Sequence, residues 1–403
     1  MAQANSLRQE VIKELEFLQV MGEKIFLYPF VDTTKLKTIG YTITHMLVLC
    51  TAFQLTLTLL SNGTDWLEII NVAPNLGVVL MTTIKYMKIY INRQFYHKIF
   101  NHYRNDMWGI VDISSGEQQK IIKTYKKISM FINRFLLYYS IPLILIVNSF
   151  PYLVMVYESQ VNGSNEYLYP FDGWYPFDKV KWYAAVYIWE SCMTAVVVCV
   201  FGFSNMLHGS LIIFICMELK IIGNRLENLI NDEDAIAIFE DNGVQIVHRK
   251  ILANLKMLIA KHNFLTKTSA KLDAVLGDAM LLNYSLGAIF ICLTAFTFTV
   301  VDNLYKSIRY FFMFTALLVE IFNQCLFGQI LSDHSVNLTK SIYYSNWPCA
   351  TPEVKKIMLM LMVRTQKPFQ LTAKGYLTMN IYTFSSICST SYRCFNLLRT
   401  IYL

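Results

Sequence analysis

Long apolar stretches recur along this chain, each near the length that crosses a lipid bilayer and each followed by a more polar connection. A hydrocarbon core of about 30 Å asks for roughly 20 mostly apolar residues in a helix. Inside that core every backbone N–H and C=O must find its partner within the spanning structure. The stretches Ile39–Leu60, Leu67–Tyr90, Met130–Val156, Trp182–Cys216, Met280–Val301, Ser307–Leu331 and Leu377–Ile401 satisfy this. They predict an all-α, polytopic membrane protein with seven transmembrane helices. Of 403 residues, 55% are apolar and only 16% charged, a balance that excludes an ordinary water-soluble domain. No cleavable leader is expected, because the first long apolar run begins only near Ile39, after a mixed segment.

The net charge of +7 does not point to nucleic acid, because the basic residues collect in alternate connections. Arg8, Lys13, Lys24, Lys35 and Lys37 precede the first span, Arg93 to Lys127 follow the second, and Lys220 to Lys271 follow the fourth. The first connection has no basic residue, and the third sets Glu158, Glu166, Asp172 and Asp178 against Lys179 and Lys181. The positive-inside rule then predicts a cytosolic N-terminus and an external C-terminus. Asn62-Gly-Thr and Asn162-Gly-Ser, both glycosylation acceptors, fall in connections assigned to the outside, while Asn337-Leu-Thr falls inside.

This layout divides the chain into a cytosolic segment 1–38, spans one to four with the pocket region over 39–218, and a cytosolic helical connection over 219–276. Spans five and six follow over 277–331, a cytosolic anchor segment over 332–376, and the seventh span over 377–403. Within the long connection Asn231–Asp241 reads as an acidic loop. Gln245–Leu272 reads as a helix, with Ile251, Leu255, Leu258 and Leu265 at helical spacing. Pro352–Met362 reads as another, and both are expected to bundle beneath the membrane as a cytosolic anchor.

Enzymatic chemistry finds no purchase. The sequence has no Gly-rich phosphate loop, zinc helix, nucleophile elbow or Cys-x-x-Cys pair, and its seven histidines are scattered. No metal or cofactor is expected. Eight of the nine cysteines lie in apolar runs, as buried thiols do. Three ionisable residues inside spans stand out, because an unpaired charge in lipid is costly. Glu190 faces either a ligand cavity or a neighbouring helix. Lys85 is expected to snorkel towards the cytosol. Glu320, with Asn323 and Gln324 nearby, reads as interhelical glue.

Aromatic and methionine side chains crowd the outer halves of the spans. Met81, Phe150, Tyr152, Met155, Tyr187, Met193, Phe296 and Phe312, with Glu190, form the candidate ligand-binding set, and Phe298 and Met313 lie near them. A cavity lined this way suits a small apolar ligand held by burial and adaptable Met contacts. The alternative for any one of them is ordinary helix packing.

The C-terminal third carries specific motifs. The sixth span reads Glu320-Ile-Phe-Asn-Gln-Cys-Leu-Phe-Gly-Gln, followed by Tyr343-Tyr-Ser-Asn-Trp347, Arg364-Thr-Gln-Lys-Pro368 and Ser391-Tyr-Arg-Cys-Phe-Asn-Leu-Leu-Arg399. Together they closely resemble the insect seven-span olfactory receptors, which carry Cys-x-x-Gly, Tyr-x-x-x-Trp and Arg-x-Gln-Lys-Pro in this order before a Ser-Tyr-x-x-Phe closing helix. The resemblance implies a ligand-tuned subunit of a tetrameric, odorant-opened, nonselective cation channel, assembled with the co-receptor Orco and opened by small volatile odorants. It implies a pocket among the second to sixth spans, a cytosolic anchor, and a pore lined by the last span. Leu397 and Ile401 match its hydrophobic gate positions and Thr400 its polar pore-lining position. Asn396 stands where the family often has Thr, and Arg393-Cys394 replaces small or aromatic residues. The rival readings are a gustatory-type receptor channel working without a co-receptor, and a G-protein-coupled receptor. The second lacks its Asp-Arg-Tyr and Asn-Pro-x-x-Tyr motifs and has the opposite predicted topology.

Overall fold

The computed structural model describes residues 2–27, 35–61, 66–112, 114–161, 167–171, 173–240, 244–301 and 304–402. Asn62 and Asn162, the two predicted glycosylation acceptors, lie outside the described residues. The described elements are α1 (Ala2–Lys24), α2 (Lys35–Ser61), α3 (Trp66–Ile91), α4 (Arg93–Arg104), α5 (Gly116–Val161), α6 (Tyr183–Glu227), α7 (Asp232–Phe239), α8 (Val244–Val300), α9 (Leu304–Tyr343), α10 (Pro352–Thr365), β1 (Thr372–Ala373), β2 (Leu377–Thr378) and α11 (Ile381–Tyr402). Among them, α2, α5, α6, α8 and α9 are long and apolar enough to cross a membrane. At 1.5 Å per residue α3 and α11, of 26 and 22 residues, also reach across the hydrocarbon, about 39 Å and 33 Å. They complete the seven, and the chain is an all-α membrane protein.

The lower half of α6 is the hub. From Met206 to Ile222 all but one of its side chains are buried, so it is covered on every face, and its few polar groups, His208, Ser210 and Glu218, are bonded within the bundle. Around α6 as a whole pack α5, α9, α3, α8 and α2.

Helices α5, α6, α8 and α9 each run more than ten residues beyond the predicted span at one end. The helix expected at Gln245–Leu272 and the fifth span are one 57-residue helix, α8, so the expected boundary at 276/277 falls inside it. The acidic stretch read as a loop is instead helix α7. Asp232, Glu233 and Asp234 occupy its first turn, where carboxylates favour the positive helix end. The N-terminal segment forms α1, whose Leu7, Val11, Leu15 and Leu18 are buried on one stripe. Within this lower bundle Glu14 accepts from Asn133 at 2.7 Å, and Asn133 in turn accepts from Ser210 at 2.9 Å. His102 of α4 lies 2.9 Å from both carboxylate oxygens of the fully buried Glu218.

The motifs of the C-terminal third have local structural reasons. Asn346, just before Trp347, donates to Ile230 O and to the Asp232 carboxylate, which ties the end of α9 to α7. Pro368 is followed by β1 and β2, paired antiparallel around Lys374 and Gly375, both at positive φ. Asp273 of α8 holds this hairpin by accepting from the Thr372 N–H and hydroxyl. Ser391 donates to Ala288 O at 2.9 Å, docking α11 on α8.

Candidate functional site

Between α3, α5, α6 and α9 lies a cavity of about 290 Å³, close to the lower bound for sites that hold a small organic molecule. α3 contributes Pro74, Asn75, Val78, Val79 and Met81; α5 contributes residues from Phe135 to Pro151; α6 contributes residues from Thr194 to Asn205; and α9 contributes residues from Arg309 to Asn323. From Arg309 to Asn323 is about 21 Å along a helix at 1.5 Å per residue, so the cavity is a narrow slot. Two wall prolines, Pro74 and Pro151, sit inside helices. Neither can donate to the carbonyl four residues earlier, so the helix loosens at the wall rather than closing over it.

Pro170 and Phe171, from the connection before α6, roof one end of the slot. This segment is held from below by Glu190, whose side chain is fully buried. Glu190 accepts the N–H groups of Phe171 and Gly173 at 3.0 and 2.9 Å and the Tyr175 hydroxyl at 3.2 Å. Thr58 of α2 accepts the Trp174 N–H at 2.8 Å, and Arg309 donates to Pro170 O at 3.3 Å. Charge-assisted bonds of this kind are about twice as strong as neutral ones, so a carboxylate is a fitting post for a loop at a membrane surface.

The opposite end is polar. Lys85 donates to Asn205 Oδ1 at 2.8 Å and to Glu320 Oε1 at 3.2 Å, and its ammonium lies 4.6 Å from the centre of the Phe201 ring. Glu320 also accepts from Asn205 at 2.9 Å and from Gln324 at 2.6 Å, and Gln324 accepts from Asn283 at 2.9 Å. Four helices thus share one buried network, and Asn205, Asn283 and Glu320 border the cavity.

The sequence-predicted set divides. Met81, Phe150 and Phe312 line the cavity, as does Met313. Glu190 does not: it anchors the roof instead. Tyr152 is half exposed and stacks edge-on against Tyr187, whose hydroxyl donates to Asn148 O. Met155 is half-buried on α5 away from the slot. Met193 packs behind the wall, in an apolar cluster that includes the lining residues Leu55, Val79, Phe171 and Val197, and Phe296 is buried in helix packing. Lys85 does not snorkel, because a carboxylate 235 positions away receives it inside the bundle. Leu397, Thr400 and Ile401 are exposed at the C-terminal end of α11, whose Thr383, Ile387 and Ser391 are buried. The wall residues that sequence reasoning passed over, Phe135, Tyr139, Val198 and Phe201, carry no mark beyond apolarity.

All nine cysteines are free thiols, and no metal-holding group of side chains occurs among the described residues. A polytopic helical bundle with one elongated, mostly apolar cavity defines a membrane receptor for small molecules. The family model described as 7tm Odorant receptor matches residues 66–392, and the chain belongs to that family. It is 24% identical over 352 residues to putative odorant receptor 92a of Drosophila melanogaster, covering 84% of this chain and 80% of that protein. With odorant receptor 67a of the same fly it shares 27% identity over 195 residues, 48% of this chain and 47% of that one. The fold is similar to the insect olfactory receptor OR5 from Machilis hrabei, with a TM-score of 0.81 at 18% identity over 97% of this chain and 98% of that one. The same receptor solved in complex with eugenol gives 0.81 at 17% identity over 99% of both chains. Members of this family are receptors, and the chain is a multi-pass membrane receptor rather than an enzyme.

Proposed function

We propose that the chain is the odorant-binding, ligand-tuned subunit of a nonselective cation channel assembled with the co-receptor Orco in the plasma membrane of olfactory sensory neurons. The observation that carries this reading is the roofed, mostly apolar slot of about 290 Å³. A volatile molecule would be held there by burial and dispersion. The similar receptor that holds eugenol supports a small organic ligand of that size. The charge bias of the loops supports a cytosolic α1 and an external end for α11. On that topology the roof faces outward, where odorant arrives. The exposed Leu397, Thr400 and Ile401 edge of α11 then has a use as pore lining, since a ring of apolar side chains closes a pore by dewetting. Ligand opens the channel by binding the open arrangement more tightly than the closed one.

Co-expression with the co-receptor tests this. Odorant-evoked cation current that depends on this chain's identity is expected, and cysteines placed at Leu397 and Ile401 should react with pore-entering reagents while the channel conducts. A current unchanged when another subunit replaces this chain would overturn it.

A further inference from the structure

We infer that the inner end of the slot is a hydrogen-bonding subsite for one hydroxyl group, so that the preferred ligands are alcohols or phenols with an otherwise apolar body. The inference rests on the slot being the ligand site. Lys85 and Glu320 bury opposite charges there and leave the slot end with no net charge. Lys85 directs its ammonium to Asn205, Glu320 and the Phe201 ring, and Glu320 receives three donors, so most of the bonding capacity of both ions is already taken. The unspent capacity belongs to amides and to the Tyr139 hydroxyl, which also lines the slot. Asn205 donates one of its two N–H groups to Glu320 and keeps the other. Asn323, one turn beyond Glu320 on the same face of α9, lines the slot, and no hydrogen bond occupies its amide among the described residues.

Both amides border the slot, Asn205 bonded to Glu320 and Asn323 three residues beyond it, and together they offer a donor and an acceptor, which is what a hydroxyl needs, since it both donates and accepts. A hydrocarbon end would desolvate the Asn323 amide without return. A methyl ether accepts but cannot donate. An ammonium or carboxylate would bring a lone charge into a region whose charges already cancel, and an unpaired buried ion is the costliest of the options. Arg309, the other cation of the slot, is committed to Pro170 O at the roof end, about 21 Å away along α9.

The test is direct binding to the purified full chain, read by displacement of a fluorescent probe. Its ligands are matched sets (alcohol, methyl ether, hydrocarbon, carboxylic acid and primary amine) on linear, terpenoid and phenylpropanoid skeletons. On every skeleton that binds, the alcohol should bind roughly tenfold tighter than the ether and tighter still than the remaining forms. Asn323→Leu should bring alcohol and hydrocarbon within about twofold of each other, while Phe312→Ala, at the roof end, should weaken all forms and keep their order. An ether, hydrocarbon or ion that binds the unmodified chain as well as the alcohol overturns the subsite, as does a failure of every alcohol to bind. The ranking on the unmodified chain decides this even if Asn323→Leu does not fold. Alcohol preference in binding without evoked current in the presence of the co-receptor would leave the subsite standing and remove the channel reading. Current evoked equally by all forms would do the reverse.

Discussion

Lys85 and Glu320 meet at 3.2 Å inside the bundle, with the lysine side chain 3% exposed and the carboxylate 11% exposed. A pair buried in this way contributes little to stability as a unit, but removing one member strands the other. Lys85→Met or Glu320→Leu should each cost on the order of 3–5 kcal/mol. The double substitution should cost clearly less than the two combined. Thermal unfolding of the purified chain in detergent measures all three. Strict additivity would show that the two groups do not depend on each other.

The roof depends on a single carboxylate. Glu190→Gln keeps the shape but exchanges a charged acceptor for a neutral amide, weakening three bonds to Phe171, Gly173 and Tyr175. A loss of about 1–3 kcal/mol in local stability is expected, felt in residues 167–175 rather than in the bundle. Hydrogen exchange should quicken in that segment, and bound ligand should leave faster with little change in its arrival rate. Unchanged exchange there would show that other contacts hold the loop.

Much of this architecture is legible in the sequence, and the parts that are not share a physical cause. The spans follow from apolar length, because lipid leaves the backbone no choice but a helix. Helix α1 is hard to see in the sequence although Leu7, Val11, Leu15 and Leu18 stand at spacings of four, four and three, since its polar face is rich enough to hide a narrow stripe. The same holds for α4, whose Tyr96, Ile99, Phe100 and Tyr103 are buried beneath a basic surface. The site is less legible still. Met81, Phe150 and Phe312 are identified by composition and span depth, but Met193 and Phe296 share both and do not line the slot. Which face a membrane helix turns inward is set by its neighbours. The partnership of Lys85 with Glu320 joins positions that no local pattern relates.

The slot makes a selective mutational forecast. Val198 of α6 lines it, and Val198→Phe should fill part of the 290 Å³, reducing ligand potency by roughly an order of magnitude. Tyr152→Ala should leave potency within about twofold, because Tyr152 points away, half exposed. Dose–response curves for evoked current, normalised to surface protein, compare the two. A larger effect at Tyr152 than at Val198 would place the ligand elsewhere.

In the lower bundle, acid should act through His262. This side chain of α8 packs 5.7 Å, centre to centre, from the Phe369 ring. Burial, and after it the positive charge of Arg364, lowers its pKa from 6.5 to about 4. Between those values the unfolded chain binds the proton and the folded chain does not. The folded state is therefore undiminished above about pH 6.5, loses stability as pH falls through this window, and loses no more from this group below about pH 4. The melting temperature should fall over that interval, and His262→Phe should flatten the slope. A slope identical in the variant would assign the acid sensitivity to other groups.

The last prediction concerns how the cavity helices reach α11. Gly328 of α9 lies so close to the chain entering α11 that a Cβ there would stand 2.2 Å from Met379 O and 2.6 Å from Met379 Cβ. Backbone cannot yield as a side-chain tip does, so Gly328→Ala must push Met379, and with it the start of α11, away from α9. Overpacking of this kind costs roughly 1–3 kcal/mol, which a bundle of this size survives. The slot lies earlier in α9, at Arg309 to Asn323, and keeps its walls. Ligand binding by the purified variant should therefore remain within about threefold of the unmodified chain, while evoked current falls at least tenfold at equal surface expression. Loss of binding and current together would mean that the substitution damages the bundle. Full current would mean that the seating of Met379 on Gly328 has no part in transmitting ligand occupancy to the last helix.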